Sequence, residues 1–377
     1  MSRPRVVLLR GQLANPWDLQ PWEKLTDRFD VSVVVTGSNL YGLSPLDLPI
    51  VHVRALSDSL PRGRLRDFWA GAPFNRYVGL ESKLAGTAIV HTAELGAWFT
   101  AEAARGKQEH GYKLVLTVWE TIPFINAYRR RVTRANRRRA AAAGDLFLAS
   151  TQRARNTLLL EGVPKSRIEV APPGIAIERF RAAALSSTPV PEHVIVSPGR
   201  LVWEKGHQDV LRAVAALHKG LVGTVARPRL LIVGVGPEEG RLRKHARELG
   251  IADVVEFRSS VSYDEMPSVY ASASCMVLAS LPTRSWEEQF GMVLVEAMAA
   301  GLSIVTTESG AIPEVAGDSS RYFPPGDWLA LARELAEGPL ARPPGDRISH
   351  PEERLARYSS DAAAARLART YDRLLNA

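Results

Sequence analysis

What most constrains this chain is one alternation: a short apolar run, then an amphipathic stretch, repeated from end to end and interrupted once. In the first half, Arg5–Leu9, Val31–Val35, Lys113–Val118, Leu146–Ala149 and Ile168–Ala171 read as strands, and Ile89-Val90 before His91 as a strand end. Trp17–Arg28, Ala93–Lys107 and Ala127–Ala143 read as helices. Apolar runs set between helical stretches signal parallel strands covered on both faces. The stretch Ser186-Ser-Thr-Pro-Val-Pro-Glu192 breaks the pattern and has a linker's polar, proline-rich composition. The alternation then restarts. Val194–Ser197, Leu230–Val233, Val254–Phe257, Ser274–Ala279 and Ser303–Thr307 read as strands, Asp209–Lys219 and Pro237–Leu249 as helices. The expectation is an α/β protein of two Rossmann-like, doubly wound domains facing a cleft. Residues 1–187 form the first, 188–355 the second, and 356–377 a final helical tail. Ligands of such sheets bind beyond the carboxyl ends of the strands, so those loops matter most.

Composition narrows the class. A chain of 377 residues is too long for one ordinary core. The single cysteine, Cys275, excludes a disulfide framework and a cysteine-based zinc site. The apolar run behind the basic start is only Val6–Leu9, too short for a signal sequence, and no stretch elsewhere is long enough to span a bilayer. A cytoplasmic protein is therefore expected. Lys and Arg number 48 against 40 Asp and Glu, a net charge of +8, which favours an anionic partner without naming it.

Three stretches could carry chemistry. In Ser285-Trp-Glu-Glu-Gln-Phe-Gly-Met-Val-Leu-Val-Glu-Ala-Met-Ala-Ala-Gly301, Gly291 precedes a run of helix formers and Gly301 follows it. The free amides of Phe290, Gly291 and Met292 at that helix start suit a diphosphate. Glu288 in the loop before it could accept sugar hydroxyls, and Glu296 in the second turn could grip a ribose diol. A solvated glutamate beside a capping one fits the same spacing. In Ser197-Pro-Gly-Arg-Leu-Val-Trp-Glu-Lys-Gly-His207, Arg200 and Lys205 share one loop between a strand and a helix. Two fixed cations there could neutralise a diphosphate leaving group, or simply be solvated. In Leu231-Ile-Val-Gly-Val-Gly-Pro-Glu-Glu239, Gly234 and Gly236 permit close backbone approach to a ligand. The dinucleotide fingerprint is absent both there and after the first strand, where Gly11 stands alone.

Taken in order, Pro172–Phe180, Gly199–Gly206, Val233–Pro237, Glu288–Gly301 and Ser309–Val315 resemble glycosyltransferase family 4, retaining nucleotide-sugar enzymes of the GT-B fold. The resemblance is strong over about residues 145–330 and thinner before them. It implies that Arg200 and Lys205 hold the donor diphosphate, that Glu288 stands by the donor sugar, and that Glu296 binds the nucleotide ribose. It also implies that Gly11, Gly199 and Gly236, with Phe290, Gly291 and Met292, line the donor. No metal or other cofactor is implied, and the donor would be UDP- or GDP-linked. The tail would cross back to the first domain.

The chain departs from the family in places. Where many members carry a histidine after the strand Lys113–Val118, it has Trp119-Glu120-Thr121. Glu120 could contact sugar, orient acceptor or cap a helix; His91, at a strand end, could contact acceptor or donor, or serve the core. After Phe257 the usual glycine is replaced by Arg258-Ser259-Ser260, which leaves base recognition open. Seven arginines lie in Arg129–Arg139, with Tyr128, Val132 and Ala135 at helical spacing as a docked face. Such a helix could meet anionic lipid on the inner face of the membrane, or be merely solvated. Nucleic acid is disfavoured because no aromatic interleaving accompanies the run. The expected activity is transfer of a hexose to the hydroxyl of a glycan, lipid-linked or small-molecule acceptor. Alternatives are a GT-B nucleotide-sugar epimerase or hydrolase, and a non-catalytic membrane or nucleic-acid binder.

Overall fold

A computed structural model describes residues 3–186, 191–223, 227–259 and 261–376. Most of the expected linker, 187–190, and Ser260 lie outside the described residues. The chain divides into two compact units, one running to Gly174 and resuming at Tyr358, the other spanning Ile175–Arg357.

The first unit is built on seven parallel strands: β1 (Arg5–Gly11), β2 (Asp30–Val35), β3 (Ile50–His52), β4 (Ile89–Ala93), β5 (Lys113–Val118), β6 (Leu146–Ala149) and β7 (Ile168–Val170), in the order β3-β2-β1-β4-β5-β6-β7. Its helices are α1 (Pro16–Glu23), α2 (Arg64–Ala70), α3 (Glu81–Leu84), α4 (Trp98–His110), α5 (Arg131–Ala143) and α6 (Gln152–Leu160). Alternate residues of β1 feed opposite faces: Val7 and Leu9 join Val90 and Leu116 in one core, Val6 and Leu8 join Ile89 and Val115 in the other. Both faces are therefore apolar, and the strands read as unbroken hydrophobic runs.

The second unit carries α7 (Ile177–Ser186), β8 (Val194–Pro198), α8 (His207–His218), β9 (Arg229–Val233), α9 (Glu239–Leu249), β10 (Val255–Arg258), α10 (Met266–Ala271), β11 (Cys275–Leu278), α11 (Met292–Ala299), β12 (Ser303–Thr307), α12 (Ile312–Ala316), β13 (Arg321–Phe323), α13 (Trp328–Glu337) and α14 (Glu352–Arg357). Its six parallel strands run β10-β9-β8-β11-β12-β13. Cys275 is fully buried on β11, which pushes its thiol up to about 12. The helix α7, which the sequence pattern assigns to the first half, belongs to this unit: Phe180 on it packs edge-to-face on Tyr270 of α10.

Three sequence expectations are corrected. The first helix ends at Glu23 rather than Arg28, soon after Pro21, whose missing N–H weakens the last turn. The stretch 356–375 is not one helix. Ser359 interrupts it and caps α15 (Ser360–Leu375) by accepting from the Ala362 amide. α15 packs in the first unit, where Leu367, Ala368 and Tyr371 complete the core beneath β1. The face that α5 docks is Thr133, Asn136, Arg137 and Ala140, whereas Tyr128 and Val132 are exposed.

Candidate functional site

In each sheet the chain reverses its winding beside the first strand, between β1 and β4 and between β8 and β11. Loops diverge at such a switch point and leave room beyond the strand ends. In the second unit the loop after β8 carries Gly199, Arg200 and Lys205, and the loop after β11 carries Ser280 and Glu288. Lys205 and Glu288, far apart in sequence, meet there. Lys205 Nζ donates to Glu288 Oε2 at 2.7 Å, and Ser280 Oγ donates to the same oxygen at 2.7 Å. Lys205 Nζ also lies 5.1 Å from the centroid of Trp286, whose ring face favours a cation. The Glu288 backbone is pinned by Ala311, whose amide donates to its carbonyl at 2.8 Å. Arg200 differs. Its guanidinium is exposed and makes no hydrogen bond or ion pair among the described residues.

The loop bearing Arg200 is anchored from below. His207 at the start of α8 is buried, which pushes its ring down to about 4. The neutral ring bonds Ser197 Oγ at 2.9 Å and the Arg200 carbonyl at 3.2 Å. The backbone is thereby fixed while the Arg200 side chain stays loose.

Gly291 caps α11 in the left-handed conformation, with Phe290 buried before it and Met292 half-buried after it. The first-turn amides of α11 have no carbonyl of their own helix to bond, and the dipole adds partial positive charge. Glu296 is nearly buried, and Tyr270 Oη donates to its Oε2 at 2.9 Å. Burial raises this carboxyl to about 7, against the opposing pull of Tyr270 and Arg179. Its Oε1 bonds nothing among the described residues, so one oxygen rather than a bidentate carboxylate faces any diol.

Two expected donor-lining glycines have a nearer reason to be glycine. A Cβ on Gly236 would lie 2.3 Å from the Leu201 carbonyl oxygen, so the close approach it permits is to the neighbouring loop. A Cβ on Gly11 would lie 2.3 Å from the Phe99 ring, and its amide already donates to Tyr77 Oη at 3.0 Å. Gly199 sits at φ +146° with only ordinary contacts around it. Beyond β10, where the sequence left base recognition open, a cavity of about 370 Å³ is lined by Arg258, Ser259, Val261, Glu265, Ser268 and Val269.

In the first unit, the expected contacts of His91 and Glu120 with sugar or acceptor are not available as the residues stand. His91 is fully buried, and its ring bonds Tyr371 Oη at 2.6 Å and Thr117 Oγ1 at 2.8 Å, so both nitrogens serve the core. Glu120 pairs with Arg137 at 2.6 Å. Arg137, one of the seven arginines, is buried, and it also forks onto Glu161. Glu94, just past β4, completes this group. It sits at φ +62°, and its Oε1 accepts from the Trp119 amide at 2.8 Å. Its Oε2 is sealed from solvent without a hydrogen-bond partner. Burial first, and then the charge of Glu120, push the Glu94 carboxyl up to about 8. The sequence reading missed Ser280, Tyr270 and Glu94; the position of Glu94 three residues after His91, at a strand's carboxyl end, was the available signal. Among the described residues no group of three or more His, Cys, Asp or Glu is placed to hold a metal ion.

Residues 12–179 match the family model described as Glycosyltransferase Family 4, and residues 182–338 the one described as Glycosyl transferases group 1. The chain is 32% identical over 250 residues to a D-inositol 3-phosphate glycosyltransferase of Streptomyces bingchenggensis, covering 61% of this chain and 53% of that one. It is 28% identical over 217 residues to a GDP-mannose-dependent alpha-(1-6)-phosphatidylinositol monomannoside mannosyltransferase of Mycobacterium tuberculosis, covering 54% of this chain and 52% of that one. The matches thus span about half the length of these relatives. In fold it resembles Anabaena Alr3699/HepE, solved in complex with UDP and glucose: TM-score 0.71, 16% identity, 98% of this chain and 100% of that one.

Proposed function

Because the chain belongs to glycosyltransferase family 4 and has the GT-B fold, we propose that it is a retaining hexosyltransferase. It moves a sugar from a nucleoside diphosphate to an acceptor hydroxyl. One arrangement carries the reading: at the switch point of the second sheet, a part-buried Lys205–Glu288 pair lies on the same set of loops as the unpaired Arg200. Arg200 and Lys205 stabilise the diphosphate as its charge develops, which is the electrostatic contribution that usually dominates such chemistry. Glu288, with Oε2 held by Lys205 and Ser280, meets the sugar hydroxyls. Its double anchoring suits a positioning carboxylate better than a covalent nucleophile. Substitution on the same face, with the departing phosphate helping to deprotonate the acceptor, then preserves the anomeric configuration. The α11 amides of Gly291 and Met292 take phosphate, and Glu296 offers Oε1 to the ribose. The chemistry is metal-independent, and the base of the UDP- or GDP-linked donor sits at the cavity beyond β10.

The first unit takes the acceptor, a sugar, a lipid-linked sugar or a small molecule. The names of the relatives, with inositol 3-phosphate and a phosphatidylinositol mannoside among them, favour an acceptor carrying phosphate. The enzyme is cytoplasmic. Among the described residues no helix is long and apolar enough to cross a membrane, and contact with the inner leaflet is peripheral, through the exposed members of Arg129–Arg139.

A thermal-shift panel of UDP-, GDP-, ADP- and TDP-sugars tests the donor. A bound donor raises the melting temperature in proportion to the logarithm of its concentration over Kd. Stabilisation by one nucleotide class, lost in Arg200→Ala, is expected. No stabilisation by any of them overturns the reading. Release of free sugar or an epimer without acceptor would instead identify a hydrolase or epimerase.

A further inference from the structure

Helix α2 in the first unit faces the wrong way for a helix that serves only its own core. Of its seven residues only Ala70 is buried. Leu65, Phe68 and Trp69 lie at i, i+3 and i+4, the spacing of an apolar stripe. Here that stripe points to solvent, with Phe68 71% and Leu65 61% exposed. Phe74, in the turn that follows, is 50% exposed and packs edge-to-face on Trp69 at 4.9 Å. The patch is not a loose end. The Ala70 carbonyl accepts from Trp98 Nε1 at 2.8 Å, and Arg66 reaches back to Asp58 at 2.7 Å.

Cations border the stripe. Arg62 and Arg64 are exposed at one end, and Arg76 follows Phe74. The Asn136 amide on α5 donates to the Pro73 carbonyl at 2.8 Å, which puts the arginine-rich helix beside the aromatic turn. Arg76 and Arg139 both lie close enough to Arg105 of α4 to add, after burial, to the lowering of its guanidinium. Positive charge from Arg76 and from α5 therefore lies beside the aromatic turn, while Arg62 and Arg64 stand at the start of α2.

We propose that Phe68, Trp69 and Phe74 enter the headgroup layer of an anionic lipid surface while Arg62, Arg64 and Arg76 bind its phosphates. Aromatic rings suit that layer because one end is apolar and the rim tolerates water, and flanking arginines keep their stems in it while their heads reach phosphate. A second copy of the chain fits the patch less well, because a two-fold contact would set the same cations against each other. The inference deepens the peripheral placement stated above: it makes the α2 segment the inserting element and the α5 arginines its electrostatic support. It does not depend on sugar transfer.

The test is co-sedimentation of the full chain with vesicles, without donor or acceptor, so its failure leaves the transferase reading standing. Phosphatidylcholine vesicles containing about one third phosphatidylglycerol should bind the chain, more weakly as salt rises, and pure phosphatidylcholine should not. Phe68→Ser with Trp69→Ser should weaken binding at least ~10-fold with an unchanged circular dichroism spectrum and melting curve. Both sites are solvent-exposed, so folding survives the change. A single Phe74→Ser variant guards against an unexpected loss of the double one. The proposal is overturned by vesicle binding that the serine variants do not change, or by none at low salt. It is also overturned if the wild type is a dimer in solution that the serine variants dissociate.

Discussion

Two ion clusters, one in each unit, hold opposite arrangements of charge. In the second unit, a cation-rich loop after β8 pairs one lysine with one glutamate and leaves Arg200 bare. In the first, Glu94, Glu120 and Glu161 crowd around the single guanidinium of Arg137. The first set has a surplus of negative charge, met by keeping Glu94 protonated; the second has a surplus of positive charge, left open to solvent. A bare cation on an anchored backbone is poised for an anion. An ion network closed around one buried guanidinium mainly fixes the loops that carry it, because its only cation is already engaged by two carboxylates.

The contrast can be broken at either end. Arg137→Ala should have the largest effect, because it strands two buried carboxylates: a loss of about 3–5 kcal/mol in urea unfolding. A loss below about 1 kcal/mol would show the network to be as solvated as a surface pair. Lys205→Ala should cost about 10²-fold in transfer rate, with a smaller stability loss than Arg137→Ala, since Glu288 keeps the Ser280 hydroxyl. Rates and unfolding midpoints from one preparation decide this; full activity would remove the donor site.

Glu94→Gln sharpens the first end. The native carboxyl holds its proton up to about 8, while the unfolded chain releases it near 4.5. Stability is therefore greatest below the lower value and falls as pH rises through the window. Glutamine mimics the protonated acid, so melting temperatures followed across this range should fall less steeply in the variant. Glu296, raised to about 7, leaves part of the slope in place. Equal slopes would mean that Glu94 is ionised in the native state. The smallest effect belongs to the exposed arginines: Arg131→Gln should change stability by no more than about 0.5 kcal/mol, unlike its neighbour Arg137 one and a half turns on.

That last pair shows where the sequence was readable and where it was not. Strands such as β5, β6 and β12 could be read to the residue, because burial on both faces keeps an apolar run at the heart of each. The three-residue edge strands β3 and β13 escaped, being short and half-buried. Lys205 and Glu288 were found individually, but their meeting depends on strand order, which no local pattern records. Arg137 looked like the six other arginines, since its burial is decided by Glu120 and Glu161 on other segments. The docked face of α5 went unread because its members are polar or small, whereas the apolar Tyr128 and Val132 drew attention to the opposite side.

The last feature concerns time rather than space. Tyr371 on α15 closes over His91 at 2.6 Å and accepts from Trp22 Nε1 at 2.8 Å, so the first unit contains side chains from both early and late in the chain. On a ribosome, the segment to Gly174 emerges first yet lacks that helix until the whole second unit has been made. The second unit, made of one continuous stretch, can fold while the first still exposes the apolar underside of β1. Order of completion is thus the reverse of order of synthesis. A stop codon shortly before Ser360 would damage the unit farthest from it in sequence, leaving an intact second unit tethered to a sticky, unfinished first one.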